Sequence, residues 1–285
     1  MIQDPIRPRG FSILPLVVKN LLIINGLMFL FKLLADARFG LDLDGILGLH
    51  YFAAQSFKPW QFITYMFMHG DFWHLFFNMF ALWMFGYNLE NVWGPRRFLI
   101  FYMITGIGAA LVQEFVFFLS LNPAVGIIDQ IIQDPNLTVI SHFIDTHSDY
   151  LRAFLQDNQP AYTKFQEALQ GLSVNPENRQ DLQTIVNVFT DFREYFLDMP
   201  TVIGASGAVY GILLAFGMLF PNVLIFIYFL FPIKAKYFVI IYGLLELFYG
   251  VSGEASNIAH YAHLGGMVFG FFLILYWKKK GRLYS

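Results

Sequence analysis

Six stretches of roughly 20 mostly apolar residues constrain this chain more than any other feature: about 16–36, 72–90, 98–120, 201–220, 236–252 and 258–277. At about 1.5 Å rise per residue, such a length crosses the hydrocarbon of a bilayer as a helix. The expected fold class is therefore an all-α polytopic membrane protein with six transmembrane helices. Composition agrees, with 57% hydrophobic and 13% charged residues, where a soluble domain has about half and about a quarter. Lys19 and Lys32 flank or enter the first window, and both can snorkel toward headgroups. The fifth window is short and should tilt or thin the bilayer locally. An eleven-residue apolar run, 223–233, is too short to span and reads as an interfacial or re-entrant connection.

Other classes drop out quickly. A net charge of −2, without a basic stripe, argues against a nucleic acid partner. The absence of cysteine removes disulfides, structural Cys-zinc sites and thiol nucleophiles. The N-terminal segment lacks a small-residue cleavage site, so its apolar stretch reads as a retained signal anchor.

Lys and Arg placement sets an expected orientation. Arg7 and Arg9, Arg96 and Arg97, Lys234 and Lys236, and the KKKGR run at 278–282 share one side if six helices alternate. That side is then cytoplasmic, together with both termini. The opposite side receives 37–71, 121–200 and 253–257. The long connection, 122–198, holds eleven acidic and four basic residues and shows helical apolar spacing. It reads as an external helical insertion, with Asn175-Pro176 starting one of its helices. The domain expectation is thus 1–121 for helices 1–3, 122–198 for the insertion and 199–285 for helices 4–6.

Polar residues inside spans are costly unless paired or functional. The second window opens HGDFWHLFFNMF, and His74 and Asn78 project from one helical face. The fourth carries GASG, placing Ser206 about five residues along its helix, with Tyr210 one turn later. The sixth opens NIAHYAHLGGMVFG, where His263 shares a face with Gly266 and Gly270. These three helices all enter from the external side, so their polar clusters reach similar depth. Gly204, Gly207 and Gly211, with Gly265, Gly266 and Gly270, allow close backbone approach. An imidazole could then deprotonate Ser206. His74, Asn78 and the Ser206 backbone N–H could donate to the oxyanion that forms.

The plain alternatives are a serine bonded to its own helix and histidines meeting headgroups, as His69 and His260 would. Periodicity alone leaves His260 open as the base. A zinc site is a poor bet, because Glu114 and Glu246 are the spans' candidate carboxylates. Glu246 reads instead as paired with a hydroxyl or a water. Neither a metal nor a cofactor is expected.

Jointly, HxxxN (His74–Asn78), GxSG (Gly204–Gly207) followed by Tyr210, and AHxxGxxxG (Ala262, His263, Gly266, Gly270) resemble the rhomboid intramembrane serine proteases. ENVWGPRRF (90–98) and FPIKAKY (231–237) add to the likeness. The resemblance implies a Ser206–His263 dyad without an acidic third member, Tyr210 packed on the imidazole, and His74 and Asn78 at the oxyanion. It implies a serine endopeptidase acting on transmembrane protein substrates near the external leaflet. Separately, the short N-terminus without a transit peptide suggests a bacterial plasma membrane. One departure is Trp60-Gln61 where many members carry Trp-Arg, which puts the anchoring of the first external loop in question. Residues 236–252 and 253–257 read as gate elements. A silent client-binding member is the alternative; a transporter would call for inverted repeats that the sequence lacks.

Overall fold

The computed structural model describes residues 12–227, 231–252 and 260–281. Arg7, Arg9, Arg282 and the 253–257 gate segment lie outside the described residues. Helix α1 (Leu16–Phe39) follows Pro15 and stops at Gly40, whose φ of 59° sustains a left-handed cap. A short α2 (Leu43–Leu47), the two-residue strand β1 (Leu49–His50), α3 (Gln61–Thr64) and a 3₁₀ turn (Tyr65–Phe67) lead to α4 (Phe72–Trp93). Gly94 and Pro95 then break the chain and restart it as α5 (Pro95–Gln133). The described residues continue through α6 (Leu137–Asp157), α7 (Gln159–Val174), α8 (Arg179–Asp198), β2 (Thr201–Val202) and α9 (Ser206–Leu219). Strands β3 (Leu224–Ile227) and β4 (Phe231–Lys234) precede α10 (Ala235–Ser252) and α11 (His260–Lys279).

Helices α1, α5 and α10 are long and apolar enough to cross a membrane. Helices α4 and α11 have the length, at 22 and 20 residues, but their polar residues hold the mean hydropathy down. The fourth window is the larger departure. Residues 201–205 are not helical, and α9 has only 14 residues, about 21 Å at the standard rise. Ser206 therefore opens its helix and does not lie five residues along it. Over the 223–233 run, β3 and β4 pair antiparallel, with Leu224 opposite Lys234 and Phe226 opposite Pro232. Helix α8 begins three residues later than Asn175-Pro176 suggests. Asn178 is its cap, its side chain accepting the Gln180 N–H at 3.1 Å, whereas Asn175 accepts from Glu177 in the preceding turn.

Two compact units emerge. One comprises the described parts of Met1–Leu49, Pro59–Gln113 and Val202–Ser285; the other is His50–Lys58 with Glu114–Thr201. The second unit thus starts within α5, earlier than the expected boundary at 122, and takes in part of the first connection. Its core is apolar and aromatic: Phe143, Phe165, Phe189, Phe192 and Phe196 pack with Ile128, Ile131, Ile140, Leu172 and Ile185. Within the first unit, α9 packs against α4, α10 and α11. Glu90 of α4 caps α1, its two carboxylate oxygens accepting the Val17 and Val18 N–H groups at 2.8 Å each. An anion at a helix start satisfies orphan donors and meets the positive end of the helix dipole.

Candidate active site

The loop before Ser206 is held by its backbone. Gly204 N–H donates to the Tyr65 carbonyl at 2.9 Å, and Gly204 has φ of 124°, a conformation that favours glycine. A Cβ there would stand 2.7 Å from His74 Nε2. The next residues turn into α9, so Ser206 sits at a helix N-terminus where backbone N–H groups lack intrahelical partners. Gly266 brings α11 against the same turn. A Cβ at Gly266 would collide with the Gly207 carbonyl.

This approach puts Ser206 Oγ 2.7 Å from His263 Nε2. Tyr210 lies on the His263 ring with centroids 4.2 Å apart and planes 7° from parallel. Gly207 packs on Ala109, and Gly270 faces Phe101 and the Gly211 carbonyl. His260 is kept from Ser206: its Nδ1 bonds Glu246, and its Nε2 is buried without a hydrogen-bond partner. The structure thus brings His263, and not His260, to the serine.

His74 is set from its own helix start. Asp71 caps α4 by accepting the His74 N–H at 2.9 Å, and this bond holds the exposed Asp71 carboxyl below its ordinary pKa. Gly70 N–H points at His74 Nδ1 from 3.4 Å. Nδ1 therefore accepts, and the proton of the neutral ring lies on Nε2, beside Gly204. Asn78 is buried and donates one amide proton to the His74 carbonyl at 3.0 Å; its amide nitrogen carries a second.

Several expectations change. The resemblance implied no acidic partner for the histidine, yet Glu246 Oε2 lies 2.9 Å from His263 Nδ1 and 2.6 Å from His260 Nδ1. Tyr210 donates its hydroxyl proton to Oε1 of the same carboxylate. Glu246 does pair with a hydroxyl, but its main partners are the two histidines. The ligand atoms of Glu246, His260 and His263 lie within 4.8 Å of one another, so this carboxylate does converge with histidines. Shared N–H protons account for that spacing. Glu114 lies in the other unit and accepts the Phe52 N–H.

Neither His69 nor His260 meets headgroups, since both are buried. The His69 ring packs on His74 with centroids 5.0 Å apart, and burial pushes its pKa down to about 3. Lys32 does not snorkel either. Its ammonium donates to the Asp44 carboxylate and to the carbonyls of His69 and Gly70, tying α1 to the loop before α4. Gln61 is also fully buried, its amide donating to the Ile46 carbonyl. That loop is therefore anchored without the Trp-Arg pair.

Three helices long and apolar enough to cross a membrane, together with a partly buried Ser–His–Glu cluster, define an integral membrane protein of rhomboid type. The Rhomboid domain family matches residues 56–128 and 182–280, more than half of the sequence, and the chain belongs to that family. It is similar to RHOMBOID-like protein 6, mitochondrial, of Arabidopsis thaliana, at 35% identity over 72 residues, 25% of this chain and 23% of that one. Rhomboid protease AarA of Providencia stuartii is 38% identical over 56 residues, 20% of each chain. RHOMBOID-like protein 5 of Arabidopsis thaliana is 40% identical over 56 residues, 20% of this chain and 18% of that one. The chain spans about a fifth of the length of these curated relatives.

Proposed function

We propose that this chain is an intramembrane serine endopeptidase that cleaves transmembrane segments of membrane proteins near the external leaflet. The observation that carries the reading is the 2.7 Å approach of Ser206 Oγ to His263 Nε2 between two glycine-thinned helices. Similarity to a named rhomboid protease supports it.

In this reading Ser206 Oγ attacks the scissile carbonyl carbon while its proton passes to His263 Nε2. The carbonyl π electrons move onto oxygen, which receives hydrogen bonds from His74 Nε2–H, the second Asn78 amide proton and the Ser206 N–H. Collapse breaks the C–N bond, and His263 returns the proton to the leaving amine. Water then attacks the acyl-enzyme by the same proton path and restores Ser206. Losing one oxyanion donor commonly costs about 100- to 1000-fold in rate. The host membrane is proposed to be a bacterial plasma membrane, with both termini cytoplasmic and the helical insertion external.

The test is labelling of the detergent-purified chain by a fluorophosphonate, together with cleavage of a model transmembrane substrate. Ser206→Ala is expected to abolish both, and His263→Ala to reduce both sharply. Wild-type activity in Ser206→Ala would end the proposal. A wild type that binds the substrate without labelling or cleavage would point to the client-binding alternative.

A further inference from the structure

One nitrogen of His263 faces the serine, and the proposed chemistry leaves the other unexplained. On that side stands the Glu246 carboxylate, buried in α10 and surrounded by His263, His260 and Tyr210. A carboxylate inside an apolar helix is expensive, and those that occur pair closely or serve the site they face. Here all three partners lie in or beside the proposed dyad.

We propose that Glu246 is a positioning residue that locks His263 in its reactive tautomer, making the dyad a Ser206–His263–Glu246 triad. The inference rests on the endopeptidase reading and deepens it. An ionised carboxylate only accepts hydrogen bonds. The 2.9 Å contact therefore places the proton of neutral His263 on Nδ1 and leaves the Nε2 lone pair for the serine proton. Without an acceptor at Nδ1, the ring divides between two tautomers, and the one with Nε2–H cannot take that proton. As Ser206 attacks, the imidazolium that forms faces the carboxylate across the same bond, a stronger stabilisation than in water.

The surroundings hold that carboxylate still. His260 Nδ1–H donates to the oxygen that serves His263, and the Tyr210 hydroxyl donates to the other. With both oxygens engaged, the carboxylate plane cannot rotate freely. Tyr210 links the parts, since its ring lies on His263 while its hydroxyl fixes Glu246. His260 is thus an anchor for the acid and not a rival base.

The experiment compares full-length wild type with Glu246→Gln and Glu246→Asp in detergent, measuring kcat, KM and ¹⁵N spectra of the histidine side chains. In wild type at neutral pH, His263 should show protonated Nδ1 and bare Nε2. Glu246→Gln should lower kcat about 100- to 10,000-fold, leave KM within about twofold, and mix the tautomers. Glu246→Asp keeps the charge but falls one methylene short, and should recover part of kcat. A wild-type His263 protonated on Nε2 would overturn the proposal, as would a Glu246→Gln variant retaining kcat within threefold. Stoichiometric zinc on the purified chain would also overturn it, because metal would occupy the Nδ1 positions. The spectra do not require turnover, so they judge Glu246 even if Ser206→Ala refutes the endopeptidase.

Discussion

The two units of this chain bury opposite things. The helical insertion places Phe143, Phe189, Phe192 and Phe196 at or below 2% exposure. Its N-caps Asn136, Asn158 and Asn178 are side chains made for turns in water. The other unit exposes Leu27, Phe31, Phe77, Leu244 and Phe248 while burying Asn25, His69, Asn78, Glu246, His260 and His263. The difference follows from solvent. In water, apolar area drives burial. In lipid, apolar side chains gain little by meeting each other, and polar groups supply the specific contacts. The proposed reaction centre fits the second arrangement because its interior is already polar.

This contrast can be broken by matched substitutions. The largest expected effect is in the insertion, where Phe192→Ala should cost about 3–5 kcal/mol in cavity and transfer terms. Hydrogen exchange of α8 in the detergent-solubilised chain would measure it. Phe77→Ala, at a side chain 62% exposed, should stay within about 0.5 kcal/mol. Equal losses would mean that both units are stabilised in the same way.

Next comes the reverse substitution. Leu244 is 60% exposed in mid-α10, and in water Leu244→Asp would be close to neutral. Facing lipid, it should oppose insertion by about 2.5–3.5 kcal/mol, readable as a fall in the membrane-integrated fraction. Thr190→Asp, on the exposed side of α8, should leave that fraction unchanged. Normal integration of Leu244→Asp would deny that this face meets lipid.

The smallest effect sharpens the polar side of the comparison. His69 is held neutral in the folded state, with its pKa depressed from 6.5 to about 3. Unfolded His69 therefore binds more protons between those values, so its contribution to stability is present above 6.5 and is lost as pH falls toward 3. The first unit below 6.5 should remove on the order of 1 kcal/mol. Thermal unfolding at pH 6.5 and 5.5 checks this, and His69→Gln should flatten the difference.

Much of this was legible in the residues. Length and apolarity located most of the helices, and the motif spacing singled out Ser206 and His263, whose side chains meet. Other features depended on information a single chain does not display. The 223–233 run has the composition of either a short helix or a hairpin, and only pairing between its two halves decides. The start of α9 depended on the positive φ of Gly204, which any glycine permits but none announces. The burial of His69 and His260 is set by their neighbours in space, which the spacing of residues does not display. Glu246 did carry a usable signal. It lies in the last two turns of α10, while His260 and His263 lie in the first turn of α11. Two helices joined by a short connection would place those three side chains at similar height.

The carboxylate at the start of α1 has a consequence for biogenesis. Glu90 lies more than seventy positions downstream of the amides it receives. A nascent chain emerging N-terminus first cannot complete that clamp until α4 has been made and has entered the bilayer. Until then, water or lipid headgroups must serve the Val17 and Val18 amides. Helix α1 is therefore synthesised well before it is fastened.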